Sequence, residues 1–437
     1  MQIPSNAINS DKSGYLITVE CRDLLIGMFV SEIDCPWSAT PFPMGGFHIK
    51  KVEDIQILQK FCKVVTIDTN KGAAPTQRKK TDLTILSSAR RAAPSAAAVK
   101  VKRDTYPTTH SVKQILDKTL GYYEQLQDQY EALSAQIREG QCMNLQLVTK
   151  SGNALIDSIL ANPQVLIWIL LTDSEPRQQS SYCVRAAIWA SILARQIGLK
   201  RHDIEILFLG TLLSDIGMSL LPERLVNKRG NFRKKEYLAY RKHIELGLDL
   251  LSQYPDVDED ILRIVRCHHE RHDGRGFPRA IAGDQIPSLA RYATLAFCFE
   301  RLLRMNGNTG KKSPARAIAR LYKQRVLKFP EQLVVEFIHV MGMYPVGSMV
   351  ELCSGELALV LEQHESQRLL PRVAILTDKE REMLKTPKVV SLDNEPSAKD
   401  RAISGSVNPQ DYPLDLRQYT QKFFGTRLGL GALSIRV

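Results

Sequence analysis

Four residues with metal-binding side chains lie on or beside apolar helix faces of this 437-residue chain. Asp215 ends the apolar stripe of a predicted helix over residues 204–215, and His268 and His269 end a second stripe. His243 lies at the edge of a third stripe. Burying an unpaired carboxylate is costly, and iron, manganese and zinc prefer imidazole and carboxylate ligands. The set therefore predicts a site for one divalent metal ion.

Each of these residues also has a simpler interpretation when it is taken alone. A carboxylate at a helix end often caps that helix or pairs with an arginine, and a single histidine on an apolar face is most often a hydrogen-bonded core residue. The metal hypothesis depends on the aspartate and the histidines occurring together on three helices.

His272 stands four residues after His268, a spacing that can pair two metal ligands on a helix. Residues 273–278 follow at once and read Asp-Gly-Arg-Gly-Phe-Pro, a composition that ends helices. We therefore expect His272 to lie beyond the helix end and in solvent. The order His-His-Glu-Arg-His also differs from the H-E-x-x-H pattern of metalloproteases, which excludes that class.

Three stretches carry a resemblance to a known family. Residues 268–278, HHERHDGRGFP, strongly resemble the HD-GYP signature H-H-E-x-x-D-G-x-G-Y-P, with phenylalanine in place of its tyrosine. Residues 337–356 resemble the small element that closes such domains, and residues 24–69 are similar to the β-rich module that often precedes them. The chain is identified on these motifs as a member of the HD-GYP family.

The resemblance implies a phosphodiesterase chemistry that uses metal ions. Family members hydrolyse cyclic di-GMP with two or three ions held inside a helical bundle. Bound cations lower the pKa of a bridging water and neutralise charge on the phosphate oxygens. One metal of the family is held by an early His, a His-Asp pair and a late Asp, and the second shares that paired Asp and takes three further histidines.

Carried over to this sequence, the family pattern divides into a retained and a lost half-site. The retained half, with Asp215 as the catalytic residue that both metals share, consists of the metal ligands Asp215, His243, His268 and His269. The lost half, including the position of a lysine that normally follows the His-Asp pair, consists of Tyr182, Ser214, Met218 and Phe297. We expect one divalent ion (Fe, Mn or Zn) and no second metal, because phenylalanine cannot coordinate and Tyr and Ser are poor ligands at neutral pH.

These substitutions imply a cyclic di-GMP signalling protein with impaired catalysis that senses the nucleotide or docks a partner. The alternative is an active metal-dependent phosphodiesterase that uses the retained half-site. A third possibility is a relic whose function resides in the N-terminal module. The loop expected to face a phosphate, or a signalling partner such as a diguanylate cyclase, consists of Asp273, Gly274, Arg275, Gly276, Phe277 and Pro278.

The elements that position these residues predict a mainly α protein. Helical periodicity persists from about residue 111 to residue 304 and indicates an HD-type helical bundle, preceded by a small β-rich module and followed by a short β-containing element. We divide the chain into a β-rich module (14–70), a flexible basic linker (72–105), the helical domain with its β element (106–385) and an irregular tail (386–437).

The composition of the chain indicates whether to expect nucleic-acid binding, a membrane span or disulfide bonds. The net charge of +12 is concentrated between residues 71 and 103, where nine Lys and Arg residues face one acid, so we expect a solvated linker and not a nucleic-acid surface. No apolar run is long enough for a membrane span, and no signal peptide is evident, so we expect a cytoplasmic protein. The eight cysteines form no C-x-x-C pair, which favours reduced thiols.

Overall fold

The chain forms two compact units, Met1–Arg91 and Ala92–Val437, in a computed structural model. It is mainly α-helical with a small sheet in each unit, as the sequence predicts. The structure describes residues 16–35, 40, 42, 46–49, 51–69, 71–73, 101–173, 180–228, 231–304, 313–363, 370–393, 402–412, 414 and 416–424. Most of the predicted linker, residues 74–100, lies outside these ranges.

The first unit is a four-stranded antiparallel sheet covered by one helix. Its sheet order is β1-β4-β2-β3, and its core contains Leu24, Met28, Ile49 and Leu58. Alternating buried and half-buried residues along the strand Val64–Asp68 put one face of the sheet against that core. The elements are β1 (Leu16–Glu20), β2 (Phe29–Ile33), β3 (Phe47–His48), α1 (Val52–Phe61) and β4 (Val64–Asp68).

The second unit begins with a run of helices that forms the bundle. Side-chain caps fix several helix starts: Asn162 accepts a hydrogen bond from the Gln164 N–H, and Asp258 accepts one from the Asp260 N–H. The helices are α2 (Val112–Arg138), α3 (Leu145–Ala161), α4 (Pro163–Thr172), α5 (Ser180–Ile197), α6 (Arg201–Leu213), α7 (Glu223–Val226), α8 (Lys234–Arg241), α9 (His243–Leu251), α10 (Glu259–Cys267), α11 (Ser288–Arg304), α12 (Pro314–Lys323) and α13 (Glu331–Met341).

A buried ionic cluster joins α5 to α11 in the middle of the bundle. Arg185 Nε donates to Glu300 Oε1 at 2.7 Å, Trp189 Nε1 donates to Glu300 Oε2 at 2.9 Å, and Arg304 Nε donates to Glu300 Oε1 at 2.7 Å. Glu300 is fully buried, so these donors compensate the loss of its hydration. The cluster fixes the relative position of two helices that carry substituted metal positions, Tyr182 and Phe297.

A five-stranded sheet follows the bundle. Two of its strands lie largely in the region that was predicted to be an irregular tail, so that prediction is wrong for them. The strand order is β8-β7-β6-β5-β9, so the sheet extends well past residue 386. Both added strands are sheet edges, and the β8 sequence carries lysines and a proline that hide its strand character. The elements are β5 (Met349–Leu352), β6 (Leu357–Glu362), β7 (Arg372–Thr377), β8 (Met383–Ser391), β9 (Ile403–Ser406) and a final helix, α14 (Leu416–Phe424).

The end of the predicted linker is also ordered. Residues 101–105 pack on the helical unit, and Lys102 N–H donates to the Ile197 carbonyl at 2.8 Å. Arg103 makes a two-pronged ion pair with Glu336, at 3.0 and 2.6 Å. The flexible-linker prediction is therefore wrong for residues 101–105, because the buried Glu336 carboxylate needs the cation that this segment supplies.

Helices long and apolar enough to cross a membrane singly do not occur among the described residues. Helices α3 and α4 pass that test only as a pair, by length and composition, and they bend by 113° at their junction.

Candidate metal centre

The fold brings the predicted metal ligands together from three places in the bundle. Asp215 follows the end of α6, His243 begins α9, and His268 and His269 follow the last residue of α10. One ligand atom from each of the four lies within 4.8 Å of the others. The predicted set therefore converges on one point, although its members are up to 54 positions apart in the sequence.

The buried polar atoms at this point lack the partners that they need. His243 Nδ1 lies 2.6 Å from the Tyr240 carbonyl, and His268 Nδ1 lies 2.8 Å from the Val265 carbonyl. Carbonyl oxygens only accept hydrogen bonds, so both Nδ1 atoms carry a proton and both Nε2 atoms point inwards. Both Nε2 atoms face Asp215 Oδ1, at 3.3 and 3.4 Å.

Within the described structure these three inward atoms, Asp215 Oδ1 and the two Nε2 atoms, are buried without a hydrogen-bond partner. When both imidazoles are neutral, their Nε2 lone pairs repel the carboxylate oxygen unless a cation, a proton or a metal ion, lies between them. The donor set thus fits a divalent cation, with the two backbone carbonyls fixing the orientation of the imidazole ligands.

The electrostatics of the cluster favour its metal-binding protonation state. Burial lowers the pKa of His243, and burial together with His268 lowers the pKa of His269 well below its ordinary value. Burial alone acts to raise the pKa of Asp215, but the proximity of His268 and His243 outweighs burial and lowers it. The carboxylate is thus kept ionised and the protonated forms of His243 and His269 are disfavoured, and both effects favour binding of a divalent cation.

The substituted positions of the other half-site hold a packed aromatic pair. The Tyr182 hydroxyl donates to the Phe297 carbonyl at 2.9 Å, and the two rings lie 5.4 Å apart. The Phe297 ring also lies 5.5 Å from the His268 ring. Ser214 turns away from the site, because its hydroxyl donates to the Gly210 carbonyl at 2.7 Å. Apolar contacts therefore occupy the space beside the retained ligands.

A cavity of about 690 Å³ reaches the carboxylate of Asp215. Met218 also lines it, as do Tyr130 and the exposed Arg138 of α2. Cys183 Sγ lies 3.8 Å from Asp215 Oδ2 on the same side. The sequence patterns did not single out Tyr130 or Cys183, because the contact between α2, α5 and Asp215 forms only in the tertiary structure.

The loop that follows His268 and His269 has a backbone conformation and a close packing that require glycine at two positions. Gly274 has φ +71°, and a Cβ on Gly276 would lie 2.5 Å from the Arg271 nitrogen. The Phe277 ring stacks on His269 with centroids 4.4 Å apart. Arg275 is exposed, so the loop closes over one metal ligand and points a cation at solvent.

His272 and Glu270, next to this loop, are both buried, which the sequence analysis did not predict. His272 does lie beyond α10, but it is only 4% exposed, so the prediction of a solvated side chain is wrong. Its N–H donates to the Lys328 carbonyl and its carbonyl accepts from Gly283, which draws it inside. Glu270 is buried and accepts a hydrogen bond from the Arg279 N–H at 2.8 Å, so it anchors the return of the loop.

An aromatic patch adjoins the histidines. Phe232 stacks on Tyr240 at 5.2 Å, and Tyr237, 40% exposed, lies 5.9 Å from Phe277. The Tyr240 hydroxyl lies 3.3 Å from His269 Nε2. The exposed Tyr237 ring, next to the half-buried Phe232, Tyr240 and Phe277 rings, offers an aromatic surface suited to stacking a nucleobase.

Comparison with known families agrees with this architecture. A family model described as "HD domain" matches residues 167–332, which include all four predicted metal ligands. A second model, described as "Domain of unknown function (DUF3391)", matches residues 16–148.

Individual relatives are named as phosphodiesterases. The chain is 30% identical over 366 residues to the cyclic di-GMP phosphodiesterase PA4108 of Pseudomonas aeruginosa, covering 82% of this chain and 84% of that protein. It is 31% identical over 157 residues to the cyclic di-GMP phosphodiesterase response regulator RpfG of Xanthomonas campestris, covering 36% of this chain and 41% of that protein. Among solved structures it is similar to Bd1817, an HDG"Y"P protein from Bdellovibrio bacteriovorus, with TM-score 0.43 and 16% identity over 74% of this chain and 98% of that one.

Proposed function

We propose that this chain, which belongs to the HD-GYP family, binds cyclic di-GMP beside a single divalent metal ion and has lost the two-metal route to its hydrolysis. The observation that carries the proposal is the aromatic pair at the second metal position. The Tyr182 hydroxyl donates a hydrogen bond to the Phe297 carbonyl, and the Phe297 ring lies between the Tyr182 ring at 5.4 Å and the His268 ring at 5.5 Å. Their carbon atoms fill space that a second hydrated ion requires.

The retained cluster supports the single metal. Asp215, His243, His268 and His269 would hold an Fe, Mn or Zn ion, and the inward-facing atoms without partners are the reason to place it there. When bound, such an ion supplies Lewis acidity and lowers the pKa of a coordinated water. Asp215 contributes the only negative charge of this ligand set, so affinity for the ion depends on it most.

The cavity beside Asp215 supports nucleotide binding. Its volume of about 690 Å³ falls in the range of ligand-binding clefts. The relatives are named for cyclic di-GMP, which has two phosphates and two guanine bases. Arg138 lines the cavity and offers a cation to a phosphate, and Tyr237 and Phe277, which are not among the lining residues, offer rings on which a base could stack outside it.

The second part of the proposal is that the chain passes on the signal by binding another protein. The loop from Asp273 to Pro278 presents the exposed Arg275 next to the nucleotide site. Phe277 contacts both the metal ligand His269 and the exposed Tyr237, so the loop is in contact with the ligand set as well as the surface. We propose that a signalling protein such as a diguanylate cyclase docks on this loop.

An active phosphodiesterase using the retained half-site is the second candidate. The observation that favours it is the access from the cavity to Asp215, whose lowered pKa keeps it ionised at neutral pH. The Tyr240 hydroxyl also lies 3.3 Å from His269 Nε2, which is within hydrogen-bond distance.

One experiment separates the two candidates. Purified protein is loaded with Mn(II) or Fe(II), its metal content is measured, and cyclic di-GMP binding and product formation are followed by calorimetry and chromatography. Binding without linear or fully cleaved product supports the proposal. Product that disappears in Asp215→Asn at unchanged fold establishes the active enzyme, and a chain that neither binds nor cleaves the nucleotide refutes both.

A further inference from the structure

Two cysteine thiols of the first unit lie in direct contact. Cys35 follows β2, and Cys62 stands between α1 and β4. Their sulfur atoms are 2.9 Å apart. Non-bonded carbon atoms rest at about 3.5–4.0 Å from each other, and sulfur is larger than carbon, so this separation is shorter than an ordinary contact.

The backbone around the thiols is held in place by hydrogen bonds. β2 and β4 are neighbours with Ile33 opposite Val65, and the Asp34 N–H extends this pairing to the Val64 carbonyl at 3.3 Å. The Asp34 carboxylate accepts hydrogen bonds from the N–H groups of Lys63 and Val64 at 3.0 and 3.1 Å. The close approach of the sulfurs is therefore a property of a fixed strand pair.

The two thiols differ in exposure. Cys35 is half-buried, so a small oxidant reaches it, whereas Cys62 is 5% exposed and is reached through Cys35. Burial, reinforced by the neighbouring Cys35 thiol, raises the pKa of Cys62 above its usual range. This asymmetry is that of an attacked thiol and a resolving thiol.

We propose that Cys35 and Cys62 form a reversible disulfide, which makes the first unit a redox-modification site for peroxide. The Cys35 sulfur attacks one peroxide oxygen, the O–O bond breaks, and a sulfenic acid and water form. The Cys62 sulfur then attacks the Cys35 sulfur, hydroxide leaves and takes up the Cys62 proton as a second water, and the S–S bond forms. Overall two thiols and one hydrogen peroxide give one disulfide and two waters.

A metal site built on the same thiols and Asp34 is the competing assignment, since these groups lie within 4.8 Å of one another. Tetrahedral zinc with Zn–S bonds of about 2.3 Å holds its sulfur ligands about 3.8 Å apart. The observed 2.9 Å is much shorter than that separation. Both carboxylate oxygens of Asp34 also already accept backbone N–H groups. The geometry therefore favours the disulfide.

The test is peptide mapping of the full chain after treatment with hydrogen peroxide, compared with the dithiothreitol-reduced protein. Trypsin releases Cys35 and Cys62 in separate peptides, residues 23–50 and 61–63, so a disulfide appears as a cross-linked pair lighter by two hydrogen atoms. We expect this pair after oxidation and its loss after reduction. Cys62→Ser and, should that variant not fold, Cys35→Ser abolish it, while Cys353→Ser, at an exposed cysteine, retains it.

Two results overturn the proposal. One is separate oxidation of Cys35 and Cys62 under peroxide without a cross-link in the folded protein. The other is zinc that copurifies and is lost in Cys62→Ser but retained in His268→Ala, because it assigns the thiols to a metal. Neither result bears on nucleotide binding by the second unit, which is measured separately.

Discussion

The Tyr182 hydroxyl donates a hydrogen bond to the backbone carbonyl of Phe297, 2.9 Å away. Tyr182 is on α5 and Phe297 on α11, and the buried Glu300 cluster clamps the same two helices. Two positions at which the family resemblance predicts lost metal ligands are thus joined by a contact across the bundle. The residues at the half-site that is predicted to be lost therefore also pack the core.

Restoring the lost ligands should restore a second ion. In the triple variant Tyr182→His, Ser214→His, Phe297→Asp we expect metal content to rise from about one to about two ions per chain, with a gain in cyclic di-GMP hydrolysis. Elemental analysis and product chromatography measure the two effects. Phe297→Leu, which removes the ring but adds no ligand, should leave the metal content unchanged.

Removing one retained ligand should empty the site. His268→Ala takes away a buried imidazole, so metal content should fall to background and the metal should no longer raise the melting temperature. In the parent, metal at 100 times its Kd stabilises the fold by about 2.7 kcal/mol. The control is His202→Ala, at an exposed position of α6. Equal metal content in parent and His268→Ala would sink the assignment of this residue.

The signature loop should be intolerant of a side chain at Gly276. A Cβ there meets the Arg271 nitrogen and the Glu270 Cα at 2.5 Å, so Gly276→Ala should destabilise the protein by about 1–3 kcal/mol and weaken metal binding through the adjacent His269. Gly121→Ala is the matched control, because its Cβ meets nothing and alanine favours the helix. Urea unfolding measures both, and equal midpoints would contradict the loop packing.

Acid stability should depend on Glu300. Burial acts to raise its pKa, but Arg185 and Arg304 outweigh burial and hold the pKa below the ordinary 4.5. A carboxyl with a lowered folded pKa stabilises the fold above its unfolded pKa, and this contribution is lost as pH falls through the folded value. Glu300→Gln should therefore give a flatter dependence of unfolding free energy on pH below about 4.5 than the parent. Parallel curves for the two proteins would show that Glu300 does not titrate with unfolding.

The C-terminal helix should be part of the fold and not a dispensable tail. Trp168 Nε1 donates to Thr420 Oγ1 at 3.0 Å, and the Trp168 ring meets Phe424 edge-on at 4.9 Å. Ending the chain before Leu416 exposes this otherwise buried tryptophan, so thermal stability should fall and tryptophan fluorescence should shift to the red. Removing residues 425–437 alone is the control. An unchanged melting temperature in the chain that ends before Leu416 would place α14 outside the cooperatively folding unit.

The sequence by itself determined the family and the helical bundle, and it singled out Asp215, His243, His268 and His269, which the fold brings together. These features are encoded locally, since helix periodicity and the string at residues 268–278 need no knowledge of distant residues. The tertiary structure decided the rest. The fold buries His272, whose backbone hydrogen-bonds to Lys328 and Gly283. It also adds β8 beside β7 and β9 beside β5 as the two edge strands of a sheet whose exposed positions carry no apolar pattern. It also turns Tyr182 and Phe297 into one contact, because only packing brings together side chains that lie 115 positions apart.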